Sequence, residues 1–398
     1  MAEAAMQWVR DYALLALRIN RLAGEASAFP LLDYRGPHEW RAQVEAERPP
    51  SADRLVAAAE QLSGAYPFAA DRAAYLAAQV RSMRAVASRL RGDDIPLRDY
   101  ATRCLGLEID WLPESEFDAA HAQLDAALPN GPGTLAERLG SWKHAHHLRQ
   151  PDRLPTVVAS AIAETRARTQ EFVPLPEEIV DCQLVSGVSF RGAGLHHGGV
   201  RSTILVNRDL PFNLADLLAL VAHEGHPGHI AEQVLKERHL VRDQGLGEAR
   251  IKFLLSPQFA LSEGLGQCAQ ELLFPGDLAQ RWLTDNIFPD HEIRSDGSDF
   301  AAIHEAQNIL WGVWGNAAFL AAAGRPFDEI ADYLARWALL GDTEIAAARP
   351  LVVEANPYLF GYYHGWRHVR AWLDHPDRTR RLRRLLTEQL APAALTGN

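Results

Sequence analysis

The residues best suited to chemistry lie in one run, His223-Glu224-Gly225-His226-Pro227-Gly228-His229. It ends a stretch that is otherwise almost wholly apolar. Three imidazoles and a carboxylate in such a setting are costly to bury unless they are paired or bind a metal. Neutral imidazoles bind zinc, and an adjacent glutamate can take a proton from water activated by the ion. The usual spacing, H-E-x-x-H, puts the two histidines one helical turn apart. Here Pro227 occupies the second position. His226 could share the face of His223, three residues earlier, but it precedes a proline, which disfavours helical backbone there. His229 is six residues from His223, about 600° around an ideal helix and well off that face. Pro227 must kink or bulge the helix, and Gly228 tolerates the torsions required. A bulge absorbing two residues would return His229 to His223, which favours His229 over His226 as the second ligand. The competing reading is a capping or pH-sensitive histidine cluster at a helix end.

A catalytic zinc needs a third protein ligand and one open position. Glu263, in the segment Ser256-Pro257-Gln258-Phe259-Ala260-Leu261-Ser262-Glu263-Gly264-Leu265-Gly266-Gln267, is the best candidate. Ser256 can cap this helix, and Pro257 suits its first position. Leu261, Leu265 and Leu272 give it a core face, and Glu263 lies off that stripe near Gln267. Gly264 and Gly266 each cost a helix about 1 kcal/mol relative to alanine. They make sense where another group must approach closely. Read alone, Glu263 could equally be an exposed helical glutamate.

These residues need elements to hold them. The chain has 398 residues, which at roughly 150 per domain allows two or three domains or one large one. The reading adopted is an N-terminal helical region, 1–150, and a catalytic region, 151–398, or one intertwined domain. Apolar residues recur at helical spacing in 53–63, 70–91 and 115–128, with breaks at Pro49-Pro50, at 129–133 and at Gln150-Pro151. Residues 183–190 and 200–207 read as strands, joined by a Gly-rich tip carrying His196 and His197 as solvated loop histidines. Asn213 is the expected cap of the motif helix. Leu214, Leu217, Leu218 and Val221 form its apolar stripe, and the remaining positions are nearly apolar too, so it should be buried. The chain from about 256 to 373 is again mostly helical. Within it Asn316 interrupts an apolar helix and would need partners if buried. His144, His146 and His147 read as a solvated helix face beside Lys143 and Arg149.

Composition bounds the function. Hydrophobic residues make up 47% and charged residues 23%, ordinary for a globular chain. The formal net charge of −11 argues against a nucleic-acid footprint and against an anionic membrane face. No run of about 18 apolar residues is present, and the N-terminus lacks a basic region before its apolar run, which argues against a signal peptide. Cys104, Cys182 and Cys268 are too sparse for a disulfide framework. A cytoplasmic chain is the expectation.

The run His223–His229, followed by a helix containing Ser262-Glu263-Gly264, resembles the domain-of-unknown-function 885 family, read as gluzincin-type zinc peptidases. That family's pattern is H-E-x-x-P-G-H-H, then E-G-W-A-x-Y-x-E, then a distal A-L-S-Y-x-x-G. The first is matched by His223, Glu224, Pro227, Gly228 and His229, and the second at Glu263 and Gly264. The third resembles Leu359-Phe360-Gly361-Tyr362-Tyr363-His364-Gly365, with Tyr362 at the tyrosine position. The likeness covers roughly residues 180–370. Ile230 replaces the last histidine of the first motif, Leu265 and Cys268 replace the tryptophan and tyrosine of the second, and Gln270 replaces its last glutamate.

The resemblance implies a mainly α, zincin-like helical fold with one small antiparallel β-sheet beside the active-site helix. It implies one zinc ion per chain held by His223, His229 and Glu263, with Glu224 as the base. Tyr362 would donate to the oxyanion, and His226, Tyr363, His364 and Gln267 would contact ligands or substrate. By likeness to gluzincins, strand 200–207 would be the sheet edge along which an extended peptide lies. The function expected is hydrolysis of peptide bonds. The alternatives are a non-catalytic relative whose metal is structural, closed by His226, and a hydrolase of a small non-peptide amide.

Overall fold

In the computed structural model, residues 2–24, 31–188, 190–354 and 356–396 are described. The chain is mainly helical with little strand. Its contacts divide it into two units. One comprises residues 1–110, 235–263 and 367–398, and the other residues 111–234 and 264–366.

The first unit is a helical array. Helices Ala2–Gly24, Ala52–Ser63 and Ala70–Arg91 pack on one another, each burying the apolar stripe its periodicity marks, with Leu15, Ile19, Leu55, Leu76 and Met83 nearly inaccessible. Helix Ala70–Arg91 stops at Gly92, whose φ of 96° is the left-handed conformation glycine adopts most readily at a helix end. Strand β1, Leu32–Tyr34, pairs antiparallel with a later strand, Ile251–Phe253, in the same unit. Beside it, Arg72 makes a bidentate ion pair with buried Glu248, both contacts at 2.7 Å.

The second unit contains a three-stranded sheet and the helices around it. Strands β2 (Ile179–Val185), β3 (Gly192–His196) and β4 (Arg201–Asn207) are ordered β2-β4-β3; Ile251–Phe253 is accordingly β5. β4 runs parallel to β2 and antiparallel to β3. This departs from the expected hairpin of 183–190 with 200–207. The Gly-rich segment read as a loop tip is itself strand β3. Its glycines fit close approach rather than a turn. A Cβ at Gly194 would lie 2.1 Å from the Glu224 carbonyl oxygen, and one at Gly192 would lie 3.2 Å from Leu220. β4 is therefore the central strand, and the edge beside the motif helix is β3, not 200–207. His196 is buried on β3, with Nδ1 3.0 Å from the Ser202 hydroxyl. His197, just past the strand, is an exposed loop residue as expected, with Nε2 2.9 Å from Thr203 Oγ1. The solvated reading fails for His196 alone.

The motif helix, Leu217–Glu224, is buried as expected, with Leu217, Leu218, Val221 and Ala222 inaccessible. Asn213 Oδ1 accepts from Ala215 N–H at 2.9 Å and so caps the 3-10 turn that leads into it. The long helix Phe300–Ala322 is capped by Asp299. Its buried Asn316 clasps the backbone of one residue: Oδ1 accepts from Leu112 N–H at 2.9 Å, and Nδ2 donates to Leu112 O at 2.8 Å and to the Tyr333 hydroxyl at 2.9 Å. Among the three histidines read as a solvated face, His146 is instead buried, its Nδ1 2.9 Å from Trp142 O and its ring against Trp142 and Phe300. Aromatic packing outweighs polarity at that position.

Candidate metal centre

The helix Leu217–Glu224 stops where its proline requires. Gly225 leaves helical backbone, with φ −100° and ψ −99°. Pro227 follows a cis peptide bond, and a second helix, His229–Lys236, begins at once. Two hydrogen bonds knit the break: Gly228 N–H to Ala222 O and Ala231 N–H to Gly225 O, each 3.0 Å. Both span six residues where an α-helix spans four. Two residues are thus looped out, and His229 takes the phase that a residue four after His223 would have. The imidazole centroids of His223 and His229 are 4.7 Å apart, with the rings perpendicular.

Glycine is required in this turn. A Cβ at Gly228 would fall 1.8 Å from His223 O, a backbone atom that cannot step aside. His223, Glu224 and His229 offer side-chain ligand atoms that all lie within 4.8 Å of one another, and this is the metal-competent cluster among the described residues. One Glu224 oxygen, Oε2, accepts from Gly194 N–H at 2.8 Å, so the edge strand steadies the carboxylate.

The helix Pro257–Leu273 supplies the floor. Ser256 Oγ accepts from Phe259 N–H at 3.2 Å, as the capping reading expects. A Cβ at Gly266 would lie 2.6–2.8 Å from three ring atoms of His223, so the imidazole rests on bare backbone there. Glu263 is 2% exposed on this helix. Gln267 follows Gly266 and is half-buried, its carbonyl 3.5 Å from Asn308 Nδ2. The carboxylate brought together with the two imidazoles is that of Glu224, and with a glycine cradle that leaves room for one ring these donors are of the type zinc takes.

His226 does not join the cluster. It is wholly buried, with Nε2 2.5 Å from Glu178 Oε1, and Arg166 Nε meets the same oxygen at 3.2 Å. Burial by itself would raise the Glu178 pKa. The His226 hydrogen bond and charge and the Arg166 guanidinium outweigh it and hold the carboxyl below its ordinary value. Glu178 lies in Leu175-Pro176-Glu177-Glu178, where nothing in the local pattern marks it.

The distal tyrosine segment forms a π-helical turn, Gly361–Gly365. Tyr362 stacks on Trp311 at 4.4 Å, with the rings 21° apart. Tyr363 is buried, donates its hydroxyl to Glu116 and packs edge-on against His364 at 5.2 Å. At the N-terminal end of the motif helix, Asp216 accepts from His304 Nε2 and pairs with Arg191, each at 3.1 Å. Burial opposes ionisation there, but these partners lower its pKa overall.

No known family model matches the sequence, and no curated protein matches it. Among solved structures, a "putative lipoprotein" from Colwellia psychrerythraea is similar, with a TM-score of 0.54 and 14% identity. The match covers 87% of this chain and 66% of that one, so the chain spans just under two thirds of its neighbour's length. At that identity the likeness is one of fold.

Proposed function

We propose that the chain is a zinc-dependent hydrolase of peptide bonds with a zincin-like site, as its resemblance to the domain-of-unknown-function 885 family suggests. The observation that carries this reading is the looped-out turn that puts His229 in phase with His223 beside Glu224. His223 and His229 would hold the ion with Glu263, the third ligand that the resemblance implies. Zinc, when bound, supplies a Lewis acid that activates water near neutral pH. Glu224, steadied by Gly194 N–H, would take the proton from the attacking water and return it to the leaving amine. Edge strand β3 beside Glu224 is suited to pair with an extended backbone, which favours peptides over small amides. Tyr362 would donate to the developing oxyanion. Engagement of His226 Nε2 at Glu178 disfavours a closed structural site completed by His226.

Three further observations bear on setting. Among the described residues no helix is long and apolar enough to cross a membrane. Cys104, Cys182 and Cys268 form no disulfide. With the acidic net charge, these support a cytoplasmic enzyme in our reading.

The test is cleavage of a fluorogenic peptide library by the metal-loaded protein. Chelation should abolish cleavage and added zinc restore it. Glu224→Gln should keep its zinc yet lose on the order of 10²-fold or more in turnover. A Glu224→Gln protein that loses its metal instead would make Glu224 a ligand and remove the proposed base.

A further inference from the structure

The turn that brings His229 to His223 is anchored at its midpoint. His226 is fully buried, and its Nε2 meets Glu178 Oε1 at 2.5 Å. Glu178 is 1% exposed and shares that oxygen with Arg166, on helix Leu154–Phe172. Arg166 also donates to Pro176 O at 2.5 Å, fixing the backbone two residues before Glu178. The next residue, Ile179, opens β2, and its N–H is bonded to Val200 O at 2.7 Å. The sheet therefore grips the motif at two points, through Glu178 on His226 and through Gly194 N–H on Glu224.

We infer that Glu178, braced by Arg166, is a positioning residue for the metal centre: by holding His226 it fixes the looped-out turn and so the placement of His229 against His223. This rests on the metal-site reading above. Alternatives for the pair are narrow. His226 lies outside the ligand cluster and its Nε2 is engaged by Glu178, so the role inferred for it is to hold the turn rather than to ligate. A buried pair of ionisable groups is weak evidence for stability, because replacing both partners with apolar groups often leaves stability unchanged. Its value lies in geometry, where ligand placement matters to a few tenths of an ångström.

The experiment is metal binding to the full chain, measured by competition for zinc and by the visible spectrum of the cobalt(II)-substituted protein. Glu178→Ala should weaken zinc binding by about 10–100-fold, the range for loss of a residue that orients a ligand, and should alter the cobalt bands. Glu178→Gln retains an acceptor for both Arg166 and His226 and should stay within about threefold of wild type by the same reasoning. Should Glu178→Ala fail to fold, Glu178→Leu combined with His226→Leu removes both buried partners together. That variant should melt close to wild type in the apo form yet bind zinc about 10–100-fold more weakly. Wild-type affinity in a folded Glu178→Ala or double-leucine protein would overturn the positioning role alone. A wild-type chain that takes up neither zinc nor cobalt would overturn the metal site and this inference with it.

Discussion

Gly266→Ala separates helix stability from metal binding. In the middle of helix Pro257–Leu273, alanine should gain about 1 kcal/mol of helix propensity over glycine. The new Cβ would stand 2.6 Å from His223 Cε1, whereas unstrained carbon contacts begin near 3.5 Å. The imidazole must therefore retreat by about 0.9 Å, several times the ~0.2 Å tolerance of a zinc–ligand distance. Without metal the ring can swing aside, so the apo protein should melt within a few degrees of wild type, the propensity gain offsetting residual crowding. With zinc, affinity should drop at least about 10–100-fold, or about 1.4–2.7 kcal/mol. At fixed excess zinc, stabilisation by ligand should shrink by the same amount. Thermal melts of both proteins with and without zinc measure this directly. An equal zinc-induced shift in Tm for the two proteins would refute the idea that Gly266 exists to seat His223 as a ligand.

Two further perturbations address the scaffold. Asp216 has its pKa lowered in the folded state, by His304 and Arg191 against the effect of burial. It therefore contributes stability above its unfolded pKa of about 3.9, and that contribution is lost as pH falls through the lower folded value. Asp216→Asn should lower Tm at pH 7, and the gap to wild type should close below about pH 4; a gap independent of pH would contradict the assignment. Asn316→Ala strips the partners from Leu112 N–H and C=O and should cost at least about 2 kcal/mol in urea unfolding.

The meeting of His223 and His229 was legible because a proline and a glycine at fixed places in the motif restrict the backbone to few solutions. The need for two absorbed residues follows from helix phase alone, and the two six-residue hydrogen bonds supply it. Burial of the motif helix, the Ser256 and Asn213 caps and the need to satisfy Asn316 follow from local rules in the same way. Strand β3 was not legible, because Gly192 and Gly194 signal a loop when read locally. Their small size answers instead to Leu220 and Glu224, about thirty residues away. Glu178 was missed for a similar reason: its partners, Arg166 and His226, are 12 and 48 residues distant, and only folding brings them together. The polar letters of His146 and His196 suggested solvent, but each finds a specific partner in the interior, Trp142 O and the Ser202 hydroxyl.

X-ray absorption on the purified chain after one equivalent of zinc tests the proposed centre most directly. One ion should bind per chain, with two imidazole ligands and the remainder oxygen, at Zn–N and Zn–O distances near 2.0–2.2 Å. His229→Ala should remove one imidazole from that spectrum, whereas His226→Ala should leave two. A chain that binds no zinc, or one that loses an imidazole with His226→Ala and not with His229→Ala, would contradict the centre proposed for His223 and His229.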